Sequence, residues 1–330
     1  MATVSGTVGA TVVDVTTFIE HAARRCGVLA TSLSAEQQLS ARENLFFLLS
    51  DLANRGISLW CVQKTVLGLN LNQTTYQLPV GTLDVLNVEY RTASFYASPV
   101  IAGTSAVSNT GSSLSAVTTV GLVASLSNVA TLAIETSADG VTWVPLSTVT
   151  LTLIAGQTYW VDLDNTTAAA YWRLRETVLA SLPASAVYFG YGTRETSITA
   201  LNRDDYVNLP NKASTGRPLQ YWYDRQVTIP KLWVWPVPND PTAQLVVWNH
   251  RQIQDVGTYI NLVEVPQRWF ESVIFLLAMR ICLELPAASV PPDRYGLLKQ
   301  EAMEHLTQAE NGETDGAPIK VIANISGYTR

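Results

Sequence analysis

Two hydrophobic periods alternate along the chain. Val15 to Cys26 reads as a first helix that Gly27 stops, and Ser34 opens a second. Ser34-Ala35-Glu36-Gln37 has the spacing of a capping box, with Gln37 at the third helical position. Leu45, Leu48, Leu49 and Leu52 then recur at helical spacing, and Gly56 is placed to close the helix. Beyond Gly56 the period drops to two. Leu59 to Leu67 and Thr75 to Leu78 read as short strands. Leu83 to Arg91 alternates, with Leu86, Val88 and Tyr90 on one face, after a turn at Pro79 to Gly81. Leu132, Ile134 and Thr136 alternate with Thr131, Ala133 and Glu135 ahead of the hairpin turn Ala138-Asp139-Gly140. Thr150 to Ile154, Tyr159 to Leu163 and Tyr171 to Arg175 add strands. Lys231 to Val237 and Gln244 to Asn249 form an expected hairpin, turned by Pro238-Asn239-Asp240-Pro241. Helical spacing returns with Pro266 at a first helical position and Trp269, Val273, Leu276, Leu277 and Ile281 as a buried stripe up to Pro286. Pro292 opens a last helix, which runs to about Glu310.

Charge divides this pattern. No Lys or Arg occurs between Arg91 and Arg173, and only Glu135, Asp139, Asp162 and Asp164 of the 27 acidic residues fall there. A composition shift of this kind marks a separate domain. The expected organisation is a core in two parts, residues 1–92 and 191–310, an inserted domain at 93–190 and an extended tail at 311–330. The expected fold class is α+β: a four-helix bundle, two helices from each end of the chain, with a small antiparallel sheet, interrupted by an all-β sandwich.

The remaining composition narrows the function. With 330 residues the chain can bury most of the surface it exposes when unfolded, and needs no metal or disulfide to hold a core. A net charge of −6 argues against a protein built to grip phosphates. Cys26, Cys61 and Cys282 are too widely spaced for a disulfide framework or a zinc site, and read as buried thiols. Met1 to Asp14 lacks the pattern of a secretory signal, and Val273 to Leu277 is too short for a membrane span. A soluble protein made in a cytoplasm is expected.

Candidate chemistry is sparse. His21, His250 and His305 are scattered and outside any metal motif, and neither a phosphate loop nor a nucleophile elbow occurs. Asp204-Asp205 and the pair Asp162 and Asp164 are the carboxylates a glycosidase reading would use. Adjacent strand residues point to opposite faces, which makes Asp204-Asp205 turn chemistry. No catalytic, cofactor or metal residue is assigned, and no cofactor is expected. Arg217, Tyr221, Trp222, Tyr223 and Arg225, with Trp233 and Trp235, form an aromatic and basic group; a nucleic-acid stacking platform is one reading, but without net positive charge an interface or a packed strand is favoured. Trp143, Trp160 and Trp172 are the insert's candidates for contact with a glycan or a partner, although Trp in a small sandwich is more often core.

The flanking segments resemble a known family. The runs Ala41 to Gly56 (ARENLFFLLSDLANRG), Tyr76 to Leu86 (YQLPVGTLDVL), Asn202 to Lys212 (NRDDYVNLPNK), Gly216 to Trp222 (GRPLQYW) and Leu232 to Pro238 (LWVWPVP) carry the likeness, in that order. They resemble the head-to-tail adaptor proteins of short-tailed bacteriophages, the tail accessory or packaged-DNA stabilisation family. The likeness spans roughly residues 14–92 and 191–310. It implies a virion protein at the head-tail junction, assembled as a twelve-fold ring below the portal protein. Such a ring helps retain the packaged DNA and offers a platform to tail nozzle or tail-fibre proteins. The resemblance implies that the C-terminal tail meets the portal, and that double-stranded DNA passes the channel without sequence-specific binding. It also implies a chain that is monomeric in dilute solution. The slight acidity suits a conduit, since a basic lining would hold the genome. Within the insert, Ile134 to Trp143 (IETSADGVTW) and Tyr171 to Arg175 (YWRLR) resemble a discoidin-type jelly roll, which implies either carbohydrate contact or a docking surface. Two rivals stand beside the connector reading: a carbohydrate-binding module and a polysaccharide-degrading enzyme.

Overall fold

The computed structural model describes residues 13–55, 59–97, 99–109, 116–164, 168–253, 256–286, 290–291 and 293–313. Gly56, Pro292 and residues 314–330, and so most of the expected tail, lie outside the described residues. The helices are α1 (Val15–Cys26), α2 (Ala35–Asn54), α3 (Arg203–Val207), α4 (Phe270–Glu284) and α5 (Arg294–Gly312). The strands begin with β1 (Val62–Gly68), β2 (Thr75–Gln77), β3 (Thr82–Phe95), β4 (Val100–Ala102), β5 (Ser105–Asn109) and β6 (Thr119–Ala124). They continue with β7 (Asn128–Ser137), β8 (Val144–Leu153), β9 (Thr158–Asp162), β10 (Tyr171–Glu176), β11 (Ala184–Ser197) and β12 (Thr199–Leu201). The last are β13 (Thr215–Gly216), β14 (Gln220–Asp224), β15 (Lys231–Trp235), β16 (Val237–Pro238) and β17 (Gln244–Arg251). The chain divides into two compact units, Met1–Cys61 with Gln252–Arg330, and Val62–Arg251.

The first unit is helical. Asp14 caps α1 by accepting the Thr17 N–H at 2.8 Å, and Gly27 ends it in the left-handed region at φ 88°. The Ser34–Gln37 capping box forms in both directions at the start of α2. Leu45, Leu48, Leu49 and Leu52 are buried as their spacing predicts. The expected four-helix bundle does not form. In a bundle each helix buries one stripe, whereas in α4 every residue from Ser272 to Ala278 is buried, Ile274, Phe275 and Ala278 as well as the predicted stripe. Helix α4 is the centre on which α1, α2 and α5 pack, and not one of four equivalent walls.

The expected small antiparallel sheet is also corrected. Strand residues outnumber helical ones, and the second unit holds sheets of six, five, four and two strands. The six-stranded sheet has the order β1-β17-β3-β11-β6-β9, all antiparallel. The four-stranded sheet, β12-β14-β15-β2, pairs β12 with β14 in parallel. The predicted hairpin of Lys231 to Val237 with Gln244 to Asn249 is two strands in different sheets, since β15 joins the four-stranded sheet and β17 the six-stranded one. The boundaries expected at 92/93 and 190/191 fall inside β3 and β11, each 14 residues long.

Alternation assigns two faces to the six-stranded sheet. One face is apolar. Val120, Leu122, Val187 and Phe189 pack on Leu132, Ile134, Trp172 and Leu174 of the five-stranded sheet (β4-β5-β10-β7-β8), forming the sandwich. Further along the same face, Val88, Tyr90, Leu245 and Val247 pack on Tyr76, Tyr221, Leu232 and Val234 of the four-stranded sheet. Leu86, predicted to share the face of Val88 and Tyr90, is exposed. The register slips at this point, Asn87 facing Trp248 and Val85 facing Asn249, so Leu86 is the extra residue of a bulge.

The other face is polar and curls inward until the edge strands β1 and β9 meet. Lys64 Nζ donates to Asp162 Oδ2 at 2.7 Å, Asn70 Nδ2 to Gln157 Oε1 at 2.6 Å and Thr158 N to Asn70 Oδ1 at 3.3 Å. Gly68 is required here: a Cβ on it would lie 2.2 Å from the Thr158 carbonyl oxygen.

Candidate functional site

The predicted interface residues divide between two sides of the four-stranded sheet. In β14 the side chains alternate, so Tyr221 and Tyr223 face the core. Burial raises the pKa of both phenols, and Tyr223 OH donates to the Thr82 carbonyl at 2.8 Å. On the opposite side Trp222 faces Trp233 across the strand pair and stacks on it, 6.1 Å between ring centroids at 23°. Tyr206 of α3 lies 5.4 Å from Trp222 and 5.8 Å from Trp233. Trp235, two residues on, donates its Nε1 to the Asn211 carbonyl at 2.8 Å. Helix α3 is held over this shelf because Asn202 caps it, accepting from Asp205 N at 2.8 Å. Asp204 and Asp205, expected in a turn, are instead the exposed first turn of that helix. Arg217 covers the Tyr90 ring at 4.8 Å, and Arg225 pairs with Asp84 at 2.8 Å. Tyr206 was not singled out in the sequence, where nothing marks a five-residue helix as the lid of an aromatic pair.

The three insert tryptophans also separate. Trp172 is fully enclosed in the sandwich core. Trp160 is 7% exposed and packs between Phe95 and Tyr188, 5.7 and 5.9 Å away, on the polar face of the six-stranded sheet. Gly121 makes room beneath it, since a Cβ there would lie 2.4 Å from the indole. Only Trp143 is half-buried, with the Arg173 guanidinium 4.2 Å from its ring. Arg173 and Arg175 converge on buried Glu135, Arg173 Nε at 2.6 Å and Arg175 Nη2 at 2.7 Å. Burial alone would raise the Glu135 pKa, but the two guanidiniums outweigh it and hold the carboxyl below its ordinary value.

A third cluster lies where the curled face is most enclosed. Arg91, 3% exposed, donates to Asp162 Oδ1 at 2.6 Å, Glu195 Oε1 at 2.8 Å and Gln244 Oε1 at 3.2 Å. Burial opposes the ionised form of Asp162, and hydrogen bonds from Arg91 and Lys64 overcome it, so its pKa is lowered. Burial, and then the hydrogen bond and like charge of Glu195, raise the pKa of Glu89. Asp164, predicted to share a strand face with Asp162, lies beyond the end of β9 and is exposed. His21 is exposed, His250 is buried in β17, and His305 stacks on Phe275 at 5.0 Å. Among the described residues no three His, Cys, Asp or Glu side chains are grouped to hold a metal ion, and no helix is long and apolar enough to cross a membrane.

The sequence matches no family model and no curated protein. Solved structures with local likeness include CpGH89CBM32-6 of Clostridium perfringens, 12% identical, covering 41% of this chain and 93% of its own, with a TM-score of 0.20. Chitosan-binding module 1 of a Paenibacillus sp. IK-5 chitosanase/glucanase is 19% identical and covers 38% of this chain and 98% of its own, also at 0.20. A rhamnosidase of Novosphingobium sp. PP1Y is 11% identical over 73% of this chain and 27% of its own, again at 0.20. Scores at this level establish neither a shared fold nor a shared function.

Proposed function

We propose that the protein is a structural subunit of a virion, an adaptor that joins neighbours of its own kind into a ring between portal and tail. One observation carries the reading beyond the resemblance of the flanking segments. Helices α1 and α2 on one side and α4 and α5 on the other, separated in sequence by the entire β-rich unit, belong to one compact helical unit. That unit leaves Phe47 of α2, Leu283 of α4, and Leu297 and Met303 of α5 exposed. Apolar side chains on a helical surface are what a repeated head-to-tail contact would bury, and such a contact closes into a ring when its rotation closes.

The test is assembly. The chain should be monomeric alone and form rings in electron micrographs when mixed with its portal protein. Phe47→Asp should prevent the rings while circular dichroism stays unchanged. A chain that never assembles on portal would refute the reading.

A second reading, recognition of a glycan by the β-rich unit, is favoured by Trp143, half-buried beside a guanidinium. Binding on a glycan array that Trp143→Ala abolishes in a folded protein would support it; a blank array would end it.

A further inference from the structure

A cleft of about 570 Å³ opens beside the seam of β1 and β9. Its walls come from three places that the seam brings together: the end of β1, the β2 segment with Lys231 of the neighbouring β15, and the β8–β9 turn. The lining is chemically selective. Among the described residues no carboxylate lines it, and Lys231 is its one cation. Lys231 makes no ion pair among the described residues; Asp224, its cross-strand neighbour, accepts instead from Gln226 Nε2 at 3.0 Å. Gln77 brings an amide that both donates and accepts, and Gln157 brings its Nε2 donor, its Oε1 being taken by Asn70 Nδ2; the Gln73 amide is held within the wall, accepting from Asn70 Nδ2 at 3.0 Å and donating to the Thr75 carbonyl at 2.7 Å. Tyr159 and Trp160 add aromatic surface. The Trp160 indole N–H is buried and has no acceptor among the described residues, although Trp160 is 7% exposed.

We propose that this cleft binds a sugar carrying one carboxylate, a uronic acid unit of a polysaccharide. The proposal rests on the glycan reading above and gives it a place and a ligand class. The single ammonium matches one negative charge. The amides match hydroxyls that must both give and take hydrogen bonds, and the aromatic rings match the C–H face of a pyranose. A phosphodiester polymer is a poor match, because one cation without an arginine fork cannot follow a chain of phosphates.

Calorimetric titration with trigalacturonate, and in parallel with its fully methyl-esterified form, tests this. The acid should bind saturably, and the ester about tenfold more weakly or worse, the cost of one charge-assisted hydrogen bond. Lys231→Gln should erase the difference between acid and ester. Trp160→Phe, which keeps a ring between Phe95 and Tyr188, should weaken both ligands several-fold. Thermal unfolding of each variant confirms that it folds. Equal binding of acid and ester by the unmodified protein, or a difference that survives Lys231→Gln, would overturn the proposal. If glycan binding disappears in Trp143→Ala and persists in both cleft variants, the cleft assignment fails and the glycan reading stands. If no glycan binds at all, both fail.

Discussion

Arg91 is the residue whose removal tests the inward-curled face most severely. Its side chain is 4% exposed, and its partners Asp162 and Glu195 are 26% and 37% exposed. Arg91→Met keeps most of the volume and the stem packing but leaves two carboxylates and the Gln244 amide facing a missing cation. Stranding a fully buried charge costs about 3–5 kcal/mol. Here the carboxylates keep some solvent and Lys64 stays on Asp162, so the lower end, about 3 kcal/mol, is expected. With a urea m-value of about 2 kcal/mol/M, the unfolding midpoint of the β-rich unit should fall by about 1.5 M. Restoring neutrality with Asp162→Asn and Glu195→Gln in the same chain should recover a large part of that loss, because the stranded charges go with it.

The pH dependence follows from the sign of the shifts. Asp162 and Glu195 have lowered pKa values in the folded protein, Arg91 prevailing over burial in both. A carboxyl depressed on folding contributes stability above its unfolded value, near 4, and loses it as pH falls through the folded value. Unfolding titrations between neutral and acid pH should therefore show a decline below about pH 4 that is shallower in Arg91→Met. A loss under about 1 kcal/mol, the scale of an exposed ion pair, or parallel acid limbs in the two proteins, would refute the argument.

Two further outcomes probe other parts of the same unit. Trp172→Ala should lower the melting temperature by roughly 10 °C, since it empties a fully enclosed site worth about 3–5 kcal/mol; a drop under about 3 °C would place Trp172 outside the core. Gly68→Ala should accelerate amide exchange at Thr158, because the new methyl meets a backbone carbonyl that has no rotamer to yield, and unchanged exchange there would show that β1 and β9 are not in contact.

Local signals in the sequence read well and long-range ones did not. Helix α1, the capping box at Ser34 and the turn at Asp139-Gly140 depend on neighbours within four residues, and their residue types announce them. Sheet membership depends on partners far along the chain. Nothing in Lys231 to Asn249 says that the short β16 lies between two strands of different sheets. The stripe in α4 was visible, but full burial around the helix depends on how many neighbours surround it. Of the three insert tryptophans, Trp160 and Trp172 sit in strands and only the face each strand turns separates a packed ring from a core residue, while Trp143 lies in the connection just before β8 and is half-buried. The cleft was illegible for the same reason: its walls come from β1, β2, β8, β9 and β15.

The gap in basic residues has a structural cause that links these pieces. Its limits, Arg91 and Arg173, are both partners of carboxylates inside it, Asp162 and Glu135 respectively. Arg91 anchors Asp162 where β3 runs into the insert, and Arg173 anchors Glu135 within the insert, from β10 to the neighbouring β7. Between them Asp139 is consumed by its own turn, accepting from Val141 N at 2.9 Å and Thr142 N at 2.8 Å. Composition thus marks the point along β3 where the inward face changes from the charged residues Glu89 and Arg91 to Ala93 and Phe95, beneath which Trp160 and Tyr188 pack. Because that change occurs within one continuous strand, the insert extends the sheet of the flanking segments. Its removal would leave Arg91 without Asp162, and β1 without the strand that closes against it.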